Sequence, residues 1–266
     1  LARLEDDPAL TQECIAAAAN LAHERGLNDE AEALWGEALA QADGDVATVA
    51  RCKLGMASRR IRGGELERAA TLLDEALEAA RGSTDRILVG RVLNNQGLLH
   101  YWAGRYDAAL KAFRSALRVR EGIGYTAGVV INHHNIGDVH FSRGDLARAW
   151  VAFDRSHELA KEMGWERGVL LNDVYLGFID ATRGQREEGL QRVLHATERA
   201  EAINDAEIAA NGAVMAARLL LEDDRPDQAE PLLARARELG RSHGLRAILD
   251  AVDGLSQPPK APISLS

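Results

Sequence analysis

One spacing governs this chain: Gly64, Gly104, Gly144 and Gly184 follow one another at steps of forty residues. Around each glycine the same order of small and large side chains returns. Ala69, Ala109, Ala149 and Ala229 are matched by Gly189 in the remaining repeat; Leu73, Phe113, Phe153, Val193 and Leu233 follow; Ala76, Ala116, Ala196 and Ala236, with Ser156, close the set. A fixed period of this size means that each unit cannot bury its apolar face alone and must stack on its neighbours. The architecture is therefore a repeat array.

Within each unit the pattern is helical. Ala109, Phe113 and Ala116 fall on one helix face, two small residues flanking a large one. Gly97, Gly137 and Gly177 sit in the middle of the preceding helix, where glycine costs about 1 kcal/mol against alanine. Such a cost is tolerated where a partner helix comes too close for a side chain, so these positions mark the crossing inside each hairpin. Gly124, Gly164, Asn204 and Gly244 follow the second helices and fit left-handed C′ caps. The spacing predicts helices over about 45–62 and 65–80, 85–103 and 106–121, 125–143 and 146–162, 166–183 and 186–202, and 206–223 and 226–241. A further helix over 8–24, with Pro8 in its first turn and Cys14 on its apolar face, is closed by Gly26. Pro226 suits a helix start, whereas Pro231 is expected to bend the helix it interrupts.

Gly97 to Gly104, then Tyr106, Ala109, Phe113 and Ala116, resembles the tetratricopeptide repeat, and Gly137, Gly144, Leu146, Ala149 and Phe153 repeat the match. The resemblance implies an all-α, right-handed superhelical solenoid of about six antiparallel helical hairpins. These cover 8–42, 45–82, 85–123, 125–163, 166–203 and 206–243, with a capping helix over 245–254 and a disordered tail or linker over 255–266. Because the family's usual unit is shorter than forty residues, longer helices are expected here; nineteen residues would run about 28 Å. The long repeat is similar to that of peptide-sensing bacterial regulators and kinesin light chains. Departures from the pattern are Leu93, His133 and Asp173 where the family places an aromatic, and Ala217 and Asp224 where glycines are expected.

By the same resemblance the first helices line a concave groove that docks an extended segment or helix. The implied groove residues are Arg91, Asn94, Asn95, Tyr101 and Trp102 in the third repeat, His134, Asn135, Asp138 and Phe141 in the fourth, and Phe178 in the fifth. Asn95 and Asn135 are the sharpest pair, since a side-chain amide donates and accepts at once and can grip a peptide backbone. Tyr101, Trp102 and Phe141 offer stiff aromatic contact area. Arg51, Arg59, Arg62 and Arg91 are expected to gather near the second and third repeats, where they would favour an acidic group. Asn94 and His134 stand where the family's chaperone-tail clamp would present lysine, so that partner is not implied.

Composition removes other readings. The formal net charge is −9 and no basic run is long enough to track a phosphate backbone, so nucleic acid is not an expected partner. No apolar run approaches the roughly 18 residues of a membrane span. Histidines 100, 133, 134, 140 and 157 lack metal-ligand spacing, and no phosphate-binding glycine loop or nucleophile elbow is present. Neither a metal, a cofactor nor an enzymatic activity is expected. Cys14 and Cys52, equivalent in successive repeats, read as free thiols of a cytoplasmic protein. The expected role is a protein- or peptide-binding scaffold, a module of a larger bacterial signalling protein. A small-ligand sensor and a homo-oligomerising module are the alternatives.

Overall fold

In the computed structural model, residues 27–256 are described, together with residues 15, 17–19, 21 and 22, all six of them helical. Pro8, Cys14, Gly26 and the tail beyond Ser256 lie outside the described residues. The chain divides after Asp145 into two compact units. The first holds α1 (Asn28–Ala40), α2 (Val46–Arg62), α3 (Leu66–Gly82), α4 (Arg86–Trp102), α5 (Tyr106–Gly122) and α6 (Thr126–Ser142). The second holds α7 (Leu146–Glu162), α8 (Glu166–Thr182), α9 (Arg186–Ala202), α10 (Ala206–Glu222), α11 (Pro226–Ser242) and the shorter α12 (Arg246–Ser256). All described regular structure is α-helical, in consecutive packed antiparallel pairs.

Each helix from α2 to α11 has 17 residues. That is about 25 Å; the first helices of the hairpins are one or two residues shorter than expected, and the second helices have the expected length to within a residue. The helices stop where they do because the chain closes a Schellman turn at nearly every end. At α4, the Arg105 N–H donates to the His100 carbonyl at 2.8 Å and the Gly104 N–H to the Tyr101 carbonyl at 2.9 Å, with Gly104 at φ 68°. Asp224, where the repeat predicts glycine, adopts the same left-handed conformation at φ 56° and closes the same pair of bonds, from Arg225 N–H to Leu220 and from Asp224 N–H to Leu221. Helix α11 runs on through Pro231 to Ser242. Helix α12 extends to Ser256, so two residues assigned to the tail are helical.

The mid-helix glycines mark close crossings. A Cβ at Gly97 of α4 would overlap the Phe113 ring of α5. In the hairpin before it, Ala57 and Leu73 are both fully buried. In the second unit the α8–α9 crossing is tighter still: a Cβ at Gly177 would stand 2.7 Å from the Gly189 carbonyl oxygen, so backbone meets backbone. In the following hairpin Ala217 and Leu233 are buried. Helix α12 seats Leu249 on Gly240 and buries Val252 completely.

Candidate functional site in the first unit

Helices α4 and α6 present most of the residues that sequence reasoning assigned to a groove, and side-chain hydrogen bonds join them at two levels. Near their middles, Asn135 Nδ2 donates to Asn94 Oδ1 at 2.9 Å. At their C-terminal ends, the Tyr101 hydroxyl and Ser142 Oγ are 2.9 Å apart. Trp102 follows Tyr101 in a T-shaped pair with ring centroids 5.4 Å apart and is 59% exposed. Burial and the nearby Asp138 carboxylate push the Tyr101 phenol above its ordinary pKa. Arg91 and Ile131 are exposed, and Asn95, Asn135, Asp138 and Phe141 are half-buried. Asn95 makes no side-chain hydrogen bond among the described residues.

Two of the expected groove residues belong to the interior. Asn94 is 8% exposed, and its Oδ1 accepts from Asn132 Nδ2 at 3.1 Å as well as from Asn135. Behind Asn132 lies Arg120 of α5, 3% exposed, whose Nη1 donates to Asn132 Oδ1 and to the Gly128 carbonyl, each at 2.8 Å. Arg120 forms no ion pair with a carboxylate among the described residues, and its Nε has no acceptor. Burial pushes its pKa down to about 10; Tyr125 acts against that, and Arg91 adds to it. The guanidinium thus anchors an amide chain that runs Arg120–Asn132–Asn94–Asn135 and ends on the α4–α6 face. His134, also buried, lies with Nε2 3.4 Å from Asp138 Oδ2.

Room for Arg120 comes from glycine. A Cβ at Gly128 would stand 2.5 Å from Arg120 Cδ, and one at Gly90 3.1 Å from its Cγ. The sequence carried a signal for this burial: positions 80, 120, 160, 200 and 240 are forty apart, and the others are Ala80, Ala160, Ala200 and Gly240, all buried. The single arginine in that column had to be buried too, with small residues opposite.

In the second unit, Phe178 is 5% exposed, and the Arg218 guanidinium lies over its ring at 5.3 Å. It is therefore a core residue and not a groove contact. The same unit holds a polar cluster that sequence reasoning missed. Asp173 Oδ1 lies 3.2 Å from His157 Nε2 and accepts from Arg192 Nε at 2.8 Å; Arg192 Nη1 reaches Asp180 Oδ2 at 3.3 Å, and Trp150 Nε1 donates to Asp180 Oδ1 at 2.7 Å. Its signal was present as two pairs seven residues apart, Trp150 with His157 and Asp173 with Asp180.

Half of the expected gathering of cations near the groove is neutralised. Arg51 pairs with Asp85 at 3.3 Å, and Arg59 pairs with Glu32 at 3.0 Å. Of the four, Arg62 and Arg91 have no carboxylate partner among the described residues. Cys52 is a buried free thiol, its pKa pushed up to about 11 by burial. No described helix is long and apolar enough to cross a membrane.

Residues 84–162 match the sequence profile of the tetratricopeptide repeat. No curated protein matches the chain in sequence. Among solved structures, a signal transduction ATPase with numerous domains from Pyrococcus horikoshii, which carries a tetratricopeptide repeat sensor, aligns with a TM-score of 0.71 at 17% identity. That alignment covers 94% of this chain and 39% of the other, so the chain spans well under half of that protein's length. A Rap protein complexed with Competence and Sporulation Factor aligns with a TM-score of 0.67 at 12% identity, over 95% of this chain and 77% of that one. BtubC from P. vanneervenii aligns with a TM-score of 0.57 at 18% identity, over 99% and 97%. At these identities the likeness is one of fold.

Proposed function

We propose, from the tetratricopeptide-repeat match over residues 84–162 and the shared fold, that the α4–α6 face of the first unit docks an extended peptide segment of a partner protein. The observation that carries this reading is the amide chain ending at Asn135. One Asn135 N–H is committed to Asn94, which is itself held by Asn132 and Arg120, so the amide is oriented before any partner arrives. Its remaining N–H and its Oδ1 suit the backbone of an extended chain. Asn95 stands beside it as a second amide, with Arg91 and Asp138 at its flanks. Trp102 supplies the exposed aromatic surface on which binding energy concentrates, and Tyr101 and Phe141 continue it.

The Rap protein of the same fold was crystallised in complex with Competence and Sporulation Factor, which supports the binding of a separate factor as the role of such a fold. The sensor of the signal transduction ATPase supports a place in a larger signalling protein, where the repeats act as the receptor and not as a catalyst.

Selection from a displayed peptide library, followed by calorimetry on purified protein, tests the reading. Asn135→Ala leaves Asn94 still bonded to Asn132, so the fold should survive with its helicity unchanged. Selected peptides should bind this variant about tenfold more weakly, the loss of roughly one to two hydrogen bonds. Unchanged affinity in Asn135→Ala and in Asn95→Ala would remove the amides from the binding face.

A further inference from the structure

Between residues 81 and 120 the chain carries eight arginines or lysines against two carboxylates, Asp85 and Asp107, in a protein whose net charge is −9. Three of those arginines, Arg81, Arg86 and Arg118, line one cavity of about 500 Å³ in the first unit. Its other walls include Leu93 and Val119, which lean on the hydrophobic core, and Ile123, which is 39% exposed. It is an open depression on the surface, wide enough to admit a polypeptide segment.

The cavity lies where the repeat is broken. The α3–α4 connection has Thr84 at the place where the next repeat has the cap Gly124, and it closes by side chains instead. Ser83 Oγ donates to the Ala80 carbonyl at 2.8 Å, and Asp85 Oδ1 accepts from the Leu88 N–H at 3.0 Å. On α4, Arg86 and Leu93 are seven residues apart on one face, turned well away from the face that carries Asn94 and Tyr101. On α5, Ser115, Arg118, Val119 and Gly122 form a second stripe.

Among the described residues none of the three guanidinium groups meets a carboxylate, although Asp85, Glu78 and Glu121 lie within a few residues. Asp85 is taken by Arg51. Arg118 is instead held by Ser115, whose Oγ accepts from Nη2 at 3.0 Å and donates to the Lys111 carbonyl at 3.0 Å. The fork is thereby positioned and left unneutralised. By contrast, Arg59 of α2 pairs with Glu32, and Arg60 with Glu32 and Glu65.

We propose that this cavity docks an acidic polypeptide segment, its carboxylates on Arg81, Arg86 and Arg118 and an apolar side chain of the same segment over Leu93, Val119 and Ile123. Guanidinium forks match carboxylates in paired hydrogen bonds. The apolar floor selects a polypeptide over a bare polyanion, and three cations in a strongly acidic chain are too few to track nucleic acid. The site is separate from the α4–α6 face and does not depend on the reading given to that face.

Fluorescein-labelled decapeptides in which pairs of glutamates alternate with leucine or isoleucine, titrated by anisotropy at physiological salt, provide the test. Wild-type protein should bind at least one such peptide below millimolar concentration. The triple variant Arg81→Gln, Arg86→Gln, Arg118→Gln, substituted at exposed positions, should keep its melting transition and bind at least tenfold more weakly. Replacing glutamate by glutamine in the peptide should abolish binding, replacing leucine by serine should weaken it several-fold, and Asn135→Ala should leave it unchanged. Absence of binding by every acidic peptide, equal binding to the triple variant, or tighter binding of an oligothymidylate lost in the same variant would each overturn the proposal.

Discussion

At the α4–α5 crossing, the Phe113 ring occupies the space that a side chain at position 97 would need. One repeat earlier the same two positions are Ala57 and Leu73, and in the last hairpin they are Ala217 and Leu233. In four of the five hairpins from α2 to α11 the pairs trade volume, glycine with phenylalanine and alanine with leucine; Gly177 with Val193 departs, because there the Gly189 backbone takes the space. Alanine at position 217, a departure when the repeat is read one column at a time, is thus the partner of a smaller large residue. Gly97→Ala should destabilise the first unit by up to about 2 kcal/mol, because overpacking of roughly 1–3 kcal/mol is offset by a gain of only about 1 kcal/mol in helix propensity. Combined with Phe113→Leu it should recover most of that loss, and urea unfolding of the four proteins of the cycle measures the coupling. Additive effects would contradict the volume exchange. The same scale shows where sequence reading failed. Asn94 and Asn95 are adjacent and identical in chemistry, yet one is buried and the other half-open. What separates them is Arg120, 26 positions further along and on another helix, which draws Asn132 and through it Asn94 inward. Phe178 was misplaced for a similar reason, since its cover, Arg218, comes from the equivalent position in the next hairpin.

The helices themselves were legible almost to the residue, because each ends on a local signal. A Schellman turn needs a residue that tolerates positive φ two places after the last turn, and glycine, asparagine or aspartate supplies it at 104, 204 and 224. Contacts between elements were less legible, and the cluster linking α7, α8 and α9 is the example. There the hydrogen bond to Asp173, with Glu158 adding to it, raises the His157 pKa above its ordinary value despite burial. Against the raising effect of burial, the same hydrogen bond and Arg192 hold the Asp173 carboxyl below its usual range. Raising the folded pKa of a histidine makes its contribution to stability complete below the unfolded value, about 6.5. That contribution is lost as pH rises through the folded value. Hydrogen exchange of the α8 amides should therefore show the second unit losing stability as pH rises above about 6.5 in wild type, and losing less in His157→Gln. His100, in the first unit, has its pKa lowered by burial and by Arg105, so it acts in the opposite sense and costs stability as pH falls. Equal pH profiles for wild type and His157→Gln would exclude the His157–Asp173 bond as a source of stability.

Over the molecule as a whole, charge is unevenly spread: the third hairpin is basic within an acidic chain, and its two outer faces differ in character. One face carries oriented amides and exposed aromatics, the other arginines around an apolar floor. The period of forty residues dictates the stacking units, yet it says nothing about which of them carries function. Both proposed sites lie at positions where one repeat departs from the others, Arg120 in a column of alanine and glycine and Thr84 in place of a cap glycine. Trp102 reports on the first face directly. It is 59% exposed, whereas Trp35 is fully buried and Trp150 and Trp165 are half-buried. Acrylamide quenching of tryptophan fluorescence, with and without a saturating library-selected peptide, should show the most accessible component protected on binding, and Trp102→Phe should remove that component from both curves. A saturating peptide that leaves the Trp102 component as accessible as before would contradict docking on the α4–α6 face.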